Sequence, residues 1–257
     1  MTLRDLASRT LSKGLRVAGL PSLTVDLRTF EIDPGERTRL STEASSELAK
    51  IFFAHHGRRV NKWIHYLDIY DSHFARYRHT PVKMLEIGVY KGGSLELWRE
   101  YFGTKATIFG IDIEPECAHC VTPPNQVRIG SQDDPRFLRS VINEIGIPDI
   151  VLDDGAHNGR CQRTSFNELF PLLQEGGLYV IEDLHTSYLP GANEGGYRRE
   201  GTGIEFIKEL IDDVHVWYHN KATNAPARHS IGAIHVFDSM VVIEKRKIKR
   251  PSYIMVE

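Results

Sequence analysis

The sequence predicts a doubly wound α/β fold: a mostly parallel sheet, closed by an antiparallel hairpin and preceded by an N-terminal helical extension. Three observations carry this prediction. Short β-branched runs at 84–87, 107–111, 150–152 and 178–181 alternate with helical stretches, the order of a parallel sheet with crossover helices. Two of the runs leave a breaker, Pro148 or Gly176-Gly177, and end in acids: Asp153-Asp154-Gly155 with His157 beyond, and Glu182-Asp183 with His185 beyond. Near the end of the chain, the apolar runs 233–237 and 240–243 are joined by Asp238-Ser239, which reads as an antiparallel edge hairpin.

Composition narrows the class. With 257 residues, 41% apolar and 26% charged, the chain can bury a full core as one large α/β domain with additions. A net charge of −2 lacks the basic footprint of a nucleic-acid binder. No stretch approaches the roughly 18 consecutive apolar residues of a membrane span, and charge interrupts residues 1–20 too often for a secretory signal. Three cysteines make no disulfide framework, so the expected setting is a reducing cytoplasm.

Taken in order, Leu3, Leu6, Leu11 and Leu15 recur at helical spacing among basic residues, an amphipathic helix that packs on its own domain or on a partner, or else lies on a membrane surface. The segment up to Pro34-Gly35 reads as loop or lid, and helical pattern resumes at Ser41 or Thr42. The expected division is therefore an extension or lid over 1–60 and the α/β domain over 61–257. In 61–78, Trp63, Tyr66, Tyr70 and Phe74 share one helical face, a core stripe flanked by Lys62 and His65, which can face a ligand.

The run 84–87 then enters a glycine-bearing turn, 88–93. A helix opens at Ser94, and the run 107–111 ends in Asp112. Strand, glycine turn, helix, strand and acid is the order of a nucleotide-binding half, in which the acid accepts from ribose hydroxyls. The spacing is not the G-x-G-x-x-G that seats a pyrophosphate. Glu86, at the strand end, would repel phosphate but suits an ammonium group, which favours S-adenosylmethionine over a nicotinamide cofactor. Residues 127–129 form a third strand. After it, Gln132 is placed on the adenine amine, and Asp133 or Asp134 caps the helix that begins near Pro135.

Cys117-Ala118-His119-Cys120 has no second cysteine pair to complete a zinc site, so metal or redox use is disfavoured. Residues 190–203 carry five glycines and read as a long loop beside the site. A helix over 204–211 follows, then three closing strands, 214–218, 233–237 and 240–243; residues 245–250 read as a solvated basic tail. If the two acid-tipped strands are neighbours, about 4.8 Å apart, Asp153, Asp154, Glu182 and Asp183 crowd one volume with His157. So much negative charge needs a cation or protons to neutralise it, the mark of a metal-assisted active site.

The segments LEIGVYKGGSLELW (85–98), GIDIEP (110–115), DIVLDDGAH (149–157) and GGLYVIEDLHTSYLPG (176–191) together resemble the metal-dependent sugar O-methyltransferases of macrolide tailoring, the mycinamicin VI type. The resemblance covers residues 61–191 and not the first 50 or so. It implies the class I methyltransferase sheet of seven strands, S-adenosylmethionine and Mg²⁺ as cofactors, a small saccharide or glycoside acceptor, and a homo-oligomer. Carried over by motif, Asp154, Glu182 and Asp183 match the magnesium ligands and His157 the catalytic base. Glu86, Gly88, Asp112 and Gln132 match positions that hold the methyl donor. Tyr90 stands where the second glycine of the usual turn would be, which leaves Tyr90 and Ser94 as donor contacts, with Asp153 grouped among them.

The chemistry agrees with that likeness. A sugar hydroxyl is a poor nucleophile that calls for a base, and an all-carboxylate set selects a hard ion such as Mg²⁺. Tyr188, Tyr197, His215 and the loop 220–230 are expected around the acceptor. Three other readings stand beside this one: a Mg²⁺-dependent catechol or phenol methyltransferase, a non-catalytic adenosyl-ligand scaffold, and a nicotinamide oxidoreductase. The acid-acid-histidine set argues against the scaffold, and the glycine spacing argues against the oxidoreductase.

Overall fold

A computed structural model describes residues 32–191, 195–219, 221 and 227–256. The leucine-patterned stretch 1–20 lies outside the described residues, as do 192–194 of the glycine-rich loop and 220 and 222–226 of the expected acceptor loop.

Seven strands form one sheet: β1 (Lys83–Ile87), β2 (Thr107–Asp112), β3 (Gln126–Ile129), β4 (Ile150–Asp153), β5 (Leu178–Ile181), β6 (Ile231–Phe237) and β7 (Met240–Lys245). Their order across the sheet is β3-β2-β1-β4-β5-β7-β6. β1 to β5 pair in parallel, and β7 inserts antiparallel between β5 and β6. This is the predicted sheet, hairpin included. The winding reverses between β1 and β4, and a doubly wound sheet binds its ligands outside the carboxyl ends at such a point.

Alternation along the strands divides the core. Met84, Ile150, Leu152, Leu178 and Val180 face one layer: α2 (Glu47–Ala54), α3 (Ile64–Phe74) and α4 (Gly93–Phe102). Leu85, Ile87, Val151, Tyr179 and Ile181 face the other: α5 (Pro135–Ile145), α6 (Gly159–Leu169) and α7 (Gly203–Val214). The predicted aromatic stripe is core as expected, since Tyr66, Tyr70 and Phe74 are buried and Tyr70 meets Trp98 edge to face at 5.0 Å between ring centroids. Asp134 caps α5 by accepting from the Arg136 and Phe137 amides.

Three local expectations are corrected. Helix begins at Pro34, not at residue 41: α1 (Pro34–Glu43) is capped by Asp33, and Ser46 caps α2. α1 buries no residue, so it has no apolar period to read, and only its Asp-Pro start signals it. The alternating residues 214–218 form no strand; they close α7 and continue as a 3-10 turn, Val216–Tyr218, with Tyr218 75% exposed. The basic tail is not wholly solvated, because Lys245 belongs to β7 and its Nζ donates to the Leu173 carbonyl at 2.7 Å. Among the described residues, no helix is long and apolar enough to cross a membrane.

Candidate active site

The carboxyl ends of β1, β2 and β4 surround a cavity of about 520 Å³. Its first wall is the turn after β1. Gly88 has φ +93°, and a Cβ there would stand 2.1 Å from the Asp154 carbonyl oxygen, so only glycine lets the two strand ends meet. Asp112 braces the turn from β2: its Oδ2 accepts from the Val89 and Tyr90 amides at 2.8 and 3.0 Å. Of the residues predicted to hold the donor, Gly88, Tyr90, Ser94, Asp112 and Gln132 line this cavity, as do Asp154 and His157.

Glu86 and Asp153 are not on the wall, and strand alternation explains both. Glu86 points to the α3–α4 side, fully buried, with Ser94 Oγ donating to it at 3.0 Å. Burial pushes its carboxyl up to about 7, although the Lys62 ammonium pulls the other way. Asp153 points to the α6 side, where Gln132 Nε2 donates at 3.1 Å and Ser165 Oγ at 2.6 Å. Burial raises this carboxyl too, against those hydrogen bonds. Gln132 is thereby committed within the protein. Its Nε2 serves Asp153 and its Oε1 accepts from the Ala156 amide at 2.7 Å, so it struts the turn that carries His157.

The remaining acids gather where β4 and β5 end. Asp154 Oδ1 and Asp183 Oδ2 lie 3.6 and 3.7 Å from His157 Nε2. One ligand atom from each of Asp154, His157 and Asp183 falls within 4.8 Å of the others, a set that can hold a metal ion. His157 and Asp183 both take positive φ, 52° and 55°, strained values for non-glycine residues that aim the two side chains at one another. Thr186 Oγ1 clamps this geometry by sharing its one proton between the His157 and Asp183 carbonyls, 2.8 and 2.7 Å away.

Glu182 sits behind this trio. Its Oε1 accepts from Lys62 Nζ at 2.6 Å and from the Tyr70 hydroxyl, while Lys62 also reaches Asp154 Oδ2 at 2.8 Å. Burial raises the Glu182 carboxyl well above its ordinary value, with Asp154 adding to the effect. Burial pushes Asp183 in the same direction, but His157, His185 and Lys62 outweigh it and hold Asp183 below the usual range. Adjacent carboxyls driven apart in this way are characteristic of catalytic sites. Tyr66, read as a member of the core stripe, donates to Asp183 Oδ1 at 3.0 Å, and Lys62, read as flanking it and able to face a ligand, pairs with Asp154 and Glu182. Cys117 and Cys120 form no disulfide and line the cavity, and among the described residues no metal-ligating cluster includes them. Tyr188 and Tyr197 are exposed and do not line the cavity.

No protein-family model matches the chain. It is 39% identical over 221 residues to the 8-demethyl-8-(2-methoxy-alpha-L-rhamnosyl)-tetracenomycin-C 3'-O-methyltransferase of Streptomyces olivaceus, covering 80% of this chain and 56% of that one. It is 38% identical over 195 residues to the mycinamicin VI 2''-O-methyltransferase of Micromonospora griseorubida, covering 68% and 47%. Among solved structures, the mycinamycin-pathway methyltransferase MycE, in complex with Mg, SAH and mycinamycin VI, matches with a TM-score of 0.65 and 33% identity, over 82% of this chain and 54% of that one. The chain thus spans about half the length of the curated relatives it matches. Over that half, and with a class I methyltransferase fold in common, it is a relative of these sugar O-methyltransferases.

Proposed function

We propose that the chain is an S-adenosylmethionine- and Mg²⁺-dependent O-methyltransferase acting on a hydroxyl of a saccharide or glycoside. One observation carries this reading: Asp154, His157 and Asp183 converge at the edge of a cavity built at the switch point of the sheet. The donor set fits the ion, since two carboxylates aimed at one space favour a hard divalent cation. The cavity fits the methyl donor, since a glycine turn braced by Asp112 brings main chain to its wall.

When bound, the metal orients and acidifies the acceptor hydroxyl, and the donor supplies the methyl group. The chain's own residues do the rest. Asp154, Glu182 and Asp183 would hold the cation, with Lys62 paired to one oxygen each of Asp154 and Glu182. His157 Nε2 takes the hydroxyl proton, and the two flanking carboxylates stabilise the imidazolium that results. Gln132 and Thr186 fix the backbone on either side of His157, so the base meets the hydroxyl without searching for its place. Gly88, Tyr90, Ser94 and Asp112 hold the donor in this reading, while Glu86 acts from beneath through Ser94. Residues 61–257 make the transfer domain. Residues 1–60 are an extension, of which α2 packs Leu48 and Ala49 into the same core as α3 and α4.

The test is a screen of partly methylated sugars and glycosides with labelled donor. Transfer to at least one sugar hydroxyl should be abolished by EDTA and restored by Mg²⁺. Undiminished transfer in a metal-free preparation would refute the metal role, and transfer to catechols alone would refute the sugar.

A further inference from the structure

Two connecting segments complete the wall of the cavity. Residues 55–63, between α2 and α3, contribute Arg59, Val60, Asn61 and Lys62. Residues 113–125, between β2 and β3, contribute Cys117 and Cys120 among others. Both segments rest on the start of α4. A Cβ on Gly93 would collide with the Arg58 and Arg59 carbonyls, and one on Gly92 with the Cys120 carbonyl. Main chain from both therefore lies against the glycine pair that opens the helix, an approach that a side chain there would block.

Glu96 stands one turn further along the same face of α4 and is not on the cavity wall. Its Oε2 accepts from the Arg58 amide at 2.8 Å, and its Oε1 lies 3.5 Å from Arg58 Nε. The same Oε1 accepts from Thr122 Oγ1 at 3.3 Å, so one carboxylate reaches both segments. His55 closes the first of them on itself, with Nε2 2.8 Å from the Arg58 carbonyl. Gly57 has no room for a side chain, since a Cβ would strike Glu96 Oε2 and the His55 ring. An exposed pair of charged side chains would hold little. Here a main-chain amide donates to a carboxylate whose side chain is 25% exposed, the stronger, charge-assisted kind of bond.

We propose that Glu96 is a positioning residue for the methyl donor: it pins both connecting segments against the Gly92-Gly93 turn and so sets how fast the donor leaves the cavity. It acts through residues 58–62 and 117–122. The inference rests on the donor reading above. It makes a claim that a purely structural role does not, because α4 is held in the core by Leu95, Leu97 and Trp98 whatever stands at 96. Removing the carboxylate should free the two segments and speed donor release while the fold stays in place.

The experiment measures S-adenosylhomocysteine dissociation from the full chain by stopped flow, with hydrogen exchange and melting temperature of the unliganded protein alongside. Wild type, Glu96→Ala, Glu96→Gln and Gly57→Ala are compared. Glu96→Ala should release the ligand faster by on the order of tenfold, the scale of one charge-assisted hydrogen bond. Amide exchange should quicken in 55–62 and 117–125 together, with little change in melting temperature. Glu96→Gln keeps an oxygen for the Arg58 amide and should fall between wild type and Glu96→Ala. Gly57→Ala, which displaces the carboxylate without removing it, should also speed release. Unchanged dissociation in Glu96→Ala overturns the proposal, and so does faster dissociation without faster exchange in the two segments. Should Glu96→Ala fail to fold, unchanged dissociation in both Glu96→Gln and Gly57→Ala overturns it as well. Absence of S-adenosylhomocysteine binding in wild type would instead refute the donor reading itself.

Discussion

Glu86 is the acid whose behaviour most sharply tests the geometry beneath the glycine turn. Its carboxyl is fully buried, and burial lifts it from an ordinary 4.5 to about 7. The folded protein therefore holds a proton there that the unfolded chain releases near pH 4.5. Stability is fully present below that value and falls as pH rises through 7, because the folded state must then bury a charge. A shift of this size is worth about 3 kcal/mol at roughly 1.4 kcal/mol per unit, and full burial leaves little solvent screening to reduce it. Glu86→Gln keeps an oxygen for Ser94 and cannot ionise. Urea unfolding of the metal-free protein at pH 5 and pH 8 should show wild type losing about 3 kcal/mol relative to the variant. At pH 8 the variant should be the more stable of the two. Donor binding should fall only modestly, since Glu86 is not on the cavity wall and reaches the donor through Ser94. A variant that is less stable than wild type at pH 8, or that has the same pH slope, would refute the buried neutral carboxyl.

His157→Ala should keep the fold and bind S-adenosylhomocysteine, yet lose on the order of 10²–10⁴ in single-turnover rate, along with the rise in rate as imidazole becomes neutral. A near-wild-type rate across that pH range would remove His157 from the chemistry. Gly88→Ala places a methyl 2.1 Å from the Asp154 carbonyl at φ +93°; the backbone strain alone is worth about 1–3 kcal/mol, so melting temperature and S-adenosylhomocysteine affinity should both fall. An unchanged melting temperature would contradict the close approach of the two strand ends.

The fold was legible because its signals are local. Breakers before β4 and β5, acids after them and a two-residue turn between β6 and β7 each occupy a few consecutive residues, and the sheet follows from their order. The misread segments are those where local pattern and burial diverge. The run 214–218 alternates like a strand, yet among its residues only Val216 is buried, and nothing pairs with it on the sheet. α1 is a helix without an apolar face, held by its cap and by ion pairs of Arg39 with Glu36 and Glu43.

The site was legible as a set of residues but not as an arrangement, and strand alternation accounts for part of the difference. Reading four acids at neighbouring strand ends puts them in a single volume. A strand sends successive side chains to opposite faces, so Asp153, last in β4, turns to the α6 side with Tyr179 and Ser165. Glu86 and Glu182 take the other face, towards Lys62. Only Asp154 and Asp183 turn towards His157, Asp154 one residue past its strand and Asp183 two residues past its own with a left-handed backbone. Parity alone does not sort these acids: Asp154 and Glu182 fall on one face and both reach Lys62, and it is the left-handed backbone at Asp183 that turns this acid towards His157. Lys62 is different in kind. It becomes a partner only when α3 packs across the sheet, a contact spanning 92 and 120 residues, and no spacing within the strands announces it. The charge balance of the four acids therefore depends on a residue outside every strand-end motif. A reading of those motifs alone gives the acids but misses the ammonium that pairs with Asp154 and Glu182.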